Sequence, residues 1–138
     1  MSVLKALLNF SFLCDYASVS REGKLSMNGI FENINVQSFP AQHPSMYVVA
    51  NMTGVHHKDK VTCSLTREPE PEKPLAVISR EVMIEPNRNF GFIGQFVNVR
   101  YEQPGVYLLS FFIDNKKLGS HSFEIHQVAA AGPSQPAA

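Results

Sequence analysis

Apolar residues recur along this chain with a two-residue period, in runs separated by residues that favour turns. That period belongs to a strand with one face turned inward, and no run makes a convincing helix. The pattern is plainest near the carboxyl end. Gln103-Pro104-Gly105 opens the run Val106 to Ile113, Asp114-Asn115 reverses the chain, and Leu118 to Ile125 runs back. The turn chemistry makes this a β-hairpin. Six more strands are predicted before it, over residues 7–19, 25–36, 46–53, 60–66, about 75–85 and 90–101. In the first of them, alternating Phe10, Phe12, Cys14 and Tyr16 predict the inward face.

The connections carry their own signals. Arg21-Glu22-Gly23-Lys24 closes a first hairpin, and Gly29 inside the second strand predicts a bulge. Pro40 and Pro44 block regular pairing across Ser38 to Ser45, so that stretch is expected as a loop. Arg67 to Pro74 alternates glutamate with proline and is expected to be extended and solvated. Ala129 to Ala138 is low in complexity, which predicts a domain over 1–128 and a disordered tail over 129–138. The predicted fold is all-β: a two-sheet antiparallel β-sandwich of about eight strands. Tyr107, just after Pro104-Gly105, matches the tyrosine corner of immunoglobulin-like domains. Leu109 stands where the second disulfide cysteine would lie, and there is no tryptophan, so the disulfide-free fibronectin-III-like variant is expected.

Composition narrows the function classes. The chain has 138 residues, enough for one domain with a real core and no metal or disulfide staples. Twelve basic residues balance twelve acidic ones, which argues against nucleic acid as a partner and leaves association unopposed by net charge. Met1 to Leu13 resembles a signal peptide superficially. Asn9 breaks the run and Leu13, not a small residue, precedes Cys14, so the segment is expected as structure and the location as cytoplasmic. No run has the length of a transmembrane helix, and no membrane partner is expected. Cys14 and Cys63 lie in apolar strand-like runs and are expected as reduced core thiols, a single bridge between them being the alternative the sequence leaves open.

Candidate chemistry is sparse. His56 and His57 are adjacent and point to opposite sides of an extended chain, with no third ligand at chelating distance. His121 and His126 are expected at the surface. No histidine base is specified for Cys14, no Gly-x-Ser-x-Gly elbow is present, and no glycine-rich loop precedes a helix. Glu68, Glu70 and Glu72 suit a solvated spacer better than a calcium site. The expectation is therefore no enzyme, no metal and no cofactor.

Apolar excess is the more useful signal. Val106, Leu108 and Phe112 lie opposite the core-facing set Tyr107, Leu109, Phe111 and Ile113. The sixth strand repeats this, with Phe90, Phe92 and Phe96 opposite Ile93, Val97 and Val99, and the third has Tyr47 and Val49 opposite Val48, Ala50 and Met52. Two-sided strands are covered either by their own loops or by a partner subunit. Val106, Leu108 and Phe112 are the candidate interface for a protein partner or a homo-oligomer. Phe39, His43 and His57 are the candidates for a carbohydrate or small-ligand site in the end loops.

Cys14-Asp15-Tyr16-Ala17, Gly23-Lys24-Leu25, Gly29-Ile30-Phe31, Phe39-Pro40, His43-Pro44 and Tyr47-Val48-Val49-Ala50 occur here in that order, with Pro104-Gly105 and Tyr107 near the end. This succession resembles a family of short uncharacterised bacterial proteins over roughly residues 13–125. Val106 departs from the acidic residue common at its place. The resemblance implies a single domain of bacterial origin and carries no activity. The function expected is a non-enzymatic β-sandwich that binds a protein partner or itself, with ligand binding as the alternative.

Overall fold

The computed structural model describes residues 6–68, 70, 73–84 and 88–129, nearly all of the expected tail lying outside them. Nine strands and no helix are found among these residues: β1 Leu7–Val19, β2 Leu25–Phe31, β3 Asn33–Val36, β4 Ala41–Thr53, β5 Lys60–Arg67, β6 Ala76–Glu81, β7 Phe90–Tyr101, β8 Gly105–Ile113 and β9 Lys116–Gln127. They form a four-stranded sheet in the order β2-β1-β4-β7 and a five-stranded sheet in the order β3-β9-β8-β5-β6. The five-stranded sheet curls into half a barrel.

The main core lies between the sheets. Leu13, Val48 and Phe92 reach it from one side, Leu65, Phe111 and Ile125 from the other. Phe92 meets Phe111 edge-on at 6.0 Å between ring centres, and Tyr101 meets Tyr107 at 5.0 Å. Both are preferred aromatic geometries, which add to the burial of each ring. Tyr107 is fully buried, and its hydroxyl donates to the Gln103 carbonyl at 2.6 Å, the bond a tyrosine corner requires. The Asp114-Asn115 turn takes positive φ at both residues, as a two-residue hairpin loop demands.

Several expectations need correction, and one cause runs through most of them. A strand keeps one face inward only while its period stays at two. The predicted second strand breaks because Phe31 and Ile34, three apart, both face the core. The chain therefore crosses between sheets at Glu32, giving nine strands, and β3 pairs parallel with β9, so the pairing is not wholly antiparallel. The predicted loop 38–45 is strand from Ala41 onward. There Pro44 faces Asn98, whose φ is +54°, between the pairs His43–Val99 and Ser45–Val97. Both strands change face at this point, so Val99 is buried while Val97 stays 58% exposed. Gly29 has φ +69°, yet β1 and β2 pair without a register shift, so it is not a bulge. Its missing side chain leaves room for the Asp15 carboxylate. The fifth predicted strand is shorter than expected, ending at Glu81.

The largest correction concerns β1. Phe12 sits opposite Val49 and Cys14 opposite Tyr47, on the side away from the core. Leu13 faces inward instead, fully buried. The register against β4 shifts between Leu8 and Phe10, which places Asn9 in a bulge.

Candidate functional site

The outer face of the four-stranded sheet is built from residues that cross-strand pairing puts side by side. Cys14 lies opposite Tyr47 on β4 and Ile30 on β2, while Val49 lies opposite Phe12 on β1 and Ile93 on β7. Cys14 and Val49 are buried on this face, with Tyr47 and Ile93 packed against them. Around them the apolar side chains stand in the open. Tyr16 is 50% exposed and Ile30 53%, and Phe10 and Phe12 are each 36% exposed. The rings pair along the surface, Phe10 with Phe12 at 5.5 Å and Tyr16 with Tyr47 edge-on at 5.3 Å.

Several of the polar groups on this face are neutral and bonded to one another. Asn9 donates to the Asn51 side-chain oxygen at 2.8 Å and to the Thr53 hydroxyl at 2.6 Å. Asn89 donates to the same Asn51 oxygen, and the Gln95 amide donates to the Ser45 hydroxyl at 2.8 Å. Covering such a face strips little water from unpaired groups, so the usual penalty for burying amides is small.

A second feature lies where β1 leaves β4 and continues with β2 alone. Asp15, Gly29, Phe31, Asn33 and His43 line an open cleft of about 290 Å³. The His43 ring stands 6.2 Å from that of Phe31, and its Nε2 is buried without a hydrogen-bond partner.

A family model matches residues 9–126, from within β1 to the penultimate residue of β9. The chain belongs to DUF6941, a family of unknown function. No curated protein matches it.

The DUF6941 domain places the sequence-predicted residues as follows. Val106, Leu108 and Phe112 lie on the outer face of the five-stranded sheet, each partly buried. Their cross-strand neighbours are polar: Glu124 beside Val106, Thr66 and Ser122 beside Leu108, Thr62 beside Phe112. His43 joins the carboxylate of Asp15 in the cleft. Phe39 packs against the main core, and His57 is exposed in the turn after β4. β4 has 13 residues, roughly 40 Å of strand, so His43 and His57 are held far apart at its two ends. Phe10, Phe12, Tyr16 and Ile30 were not predicted as surface. The alternation was visible, but the bulge at Asn9 and the choice of partner strand set which side faces inward.

Other reactive groups of the DUF6941 domain are placed by packing. Burial pushes the Cys63 thiol up to about 12, in the main core. Burial also raises Cys14, opposed by a backbone hydrogen bond at Tyr16 and assisted by the neighbouring Asp15 carboxylate. Both are free thiols. His121 is not a surface residue as expected: it is half-buried where β9 meets β1, and its Nδ1 shares a hydrogen bond with the Ser11 hydroxyl at 3.1 Å. Burial lowers its pKa, and the Glu32 carboxylate pulls in the opposite direction. Glu70, expected in a solvated loop, accepts from Arg67 Nη1 at 2.9 Å, while Glu72 lies outside the described residues.

Proposed function

We propose that this DUF6941 domain is a non-enzymatic docking module whose outer four-stranded face binds an apolar protein surface. One observation carries the reading. Phe10, Phe12, Tyr16 and Ile30 stand exposed together on one sheet face whose polar neighbours are uncharged. Contiguous apolar surface of this kind marks interaction sites in soluble proteins. An aromatic centre with charge depleted from it is the composition of an interface core.

The frame proposed beneath it is an immunoglobulin-like or fibronectin-III-like sandwich. Neighbouring β4 and β7 in one sheet, with β9, β8 and β5 adjacent in the other, correspond to strands B and E against G, F and C of that fold. Tyr107 near the start of β8 then stands where the tyrosine corner belongs. A bacterial, cytoplasmic setting and a protein, not a nucleic acid or a membrane, as the bound surface belong to the same proposal.

The test is affinity capture from the source cells with wild type, Phe12→Glu and Phe112→Asp. Phe12→Glu is expected to lose the captured partner while Phe112→Asp keeps it. A partner that Phe12→Glu retains overturns the assignment of this face, and loss with Phe112→Asp alone moves it to the outer face of the five-stranded sheet. The unpartnered His43 Nε2, in a cleft that Asp15 also lines, supports a second reading, a small polar ligand in the cleft.

A further inference from the structure

We infer that the surface covering the outer four-stranded face is a second copy of this chain, packed face to face about a two-fold axis. The inference rests on the docking reading above and names its partner. Three observations carry it, and each concerns self-complementarity.

The first is charge. Up to the change of face at Pro44 and Asn98 the outward residues are apolar, amide, hydroxyl or glycine: Phe12, Tyr16 and Asn28 on β1 and β2, Asn51, Gln95 and Val97 on β4 and β7. Beyond that point Arg100 is outward, ion-paired with Glu102 at 2.7 Å. A two-fold axis brings each residue type near its own kind, so a charged face would repel its copy. The centre of this face brings no like charges together; Arg80 and Glu81, one of each sign, stand at its β7 margin beside Gly91 and Ile93. The chain as a whole is balanced, with twelve basic and twelve acidic residues.

Shape is the second. Phe10, Phe12 and Tyr16 make a ridge along β1. Beyond β4 the surface drops at one end of β7, where Gly91 has open space at its missing side chain and Ile93 is half-buried, while Gln95 and Val97 further along are exposed. Phe10 and Gly91 both lie opposite Asn51, and Phe12 and Ile93 both lie opposite Val49, so this part of the ridge and the depression flank β4 at the same level. Rotating a copy by half a turn lays the ridge of each over the depression of the other, so every contact is made twice.

Area is the third. Strands of 7, 13, 13 and 12 residues, about 4.8 Å apart and at roughly 3.3 Å per residue, make a face of roughly 700 Å². A stable association buries about 800 Å² on each partner, so one copy is of the right size to cover the face. The bonded amides Asn9, Asn51 and Asn89 at one end, and Gln95 with Ser45 at the other, supply the polar rim.

Light scattering after size exclusion, on the full chain over a hundredfold concentration range, tests this. Wild type is expected at twice the 15.4 kDa chain mass. Phe12→Glu is expected to weaken association by roughly thirtyfold or more, the scale of losing an interface anchor. Val97→Glu places a charge on the same face at a site already 58% exposed, so it tests the face even where Phe12→Glu disturbs folding. A folded monomeric Val97→Glu beside a dimeric wild type supports the proposal. A monomeric wild type overturns the second copy and leaves the docking reading to stand on the capture experiment. A wild-type dimer that both variants preserve overturns the copy at this face, and a partner retained by Phe12→Glu in the capture experiment then removes the docking reading as well.

Discussion

His121 and Tyr107 show how single polar groups are fixed by the core around them. Tyr107 is buried with its hydroxyl on the Gln103 carbonyl. Tyr107→Phe keeps the ring contacts with Tyr101 and Phe123 and removes only that bond. The expected loss is about 1 kcal/mol, read as a lower urea midpoint with an unchanged slope. An unchanged midpoint would mean the bond contributes nothing net. His121 has a pKa below its ordinary 6.5 because burial disfavours its charged form. The unfolded chain therefore takes up a proton before the folded one does. This contribution to stability is complete above about pH 6.5, falls as pH drops below it, and levels off below the folded pKa. His121→Gln is expected to show a smaller loss of stability between about pH 7.5 and about pH 5.5 than wild type. An equal loss in both proteins would assign the acid sensitivity to other groups.

At the scale of elements, places where strands change face organise the molecule. Pro44 opposite Asn98 and the crossing at Glu32 each let two core residues sit three apart in sequence. Gly94 serves a related purpose between the sheets. It is buried on β7, and a Cβ there would come within 2.8 Å of Ile78 Cδ1 and 3.0 Å of Phe92 Cε1. Ile78 belongs to β6, at the edge of the other sheet, so the absent side chain lets the two sheet edges approach. Gly94→Val is expected to cost about 1–3 kcal/mol by overpacking, checked by denaturant unfolding. A neutral result would mean that β6 moves away without loss.

For the whole molecule the decisive property is asymmetry between its two outer surfaces. The five-stranded sheet shows the alternation of a solvated sheet, with Ser64, Ser110, Ser120 and Ser122 outward beside half-buried Leu108. The four-stranded sheet carries Phe10, Phe12 and Tyr16 on the outside. The two sheets therefore share a core and differ in what they offer to solvent, and the oligomeric state is expected to depend on the four-stranded one. Hydrogen exchange should follow: amides of β1 and β4 are expected to lose protection in Val97→Glu if the face is covered in the wild-type assembly.

The sequence determined the all-strand content, the closing hairpin at Asp114-Asn115, the corner at Tyr107 and the burial of both cysteines, while their free state was decided by the fold. Each rests on local chemistry: a turn that requires particular φ angles, or a side chain too apolar for water. Two-sided strands at β4 and β7 were legible as well, through Tyr47, Val49, Ile93 and Val97. Which side of β1 faces the core was decided only by tertiary structure, because alternation gives two faces and no sign. One bulge at Asn9 and pairing with β4 turned Leu13 inward and Phe10, Phe12 and Tyr16 outward. The cleft is likewise tertiary, since Asp15 and His43 meet only where β1 and β4 part. Local sequence sets the period of a strand; its phase is set by the surface it packs against.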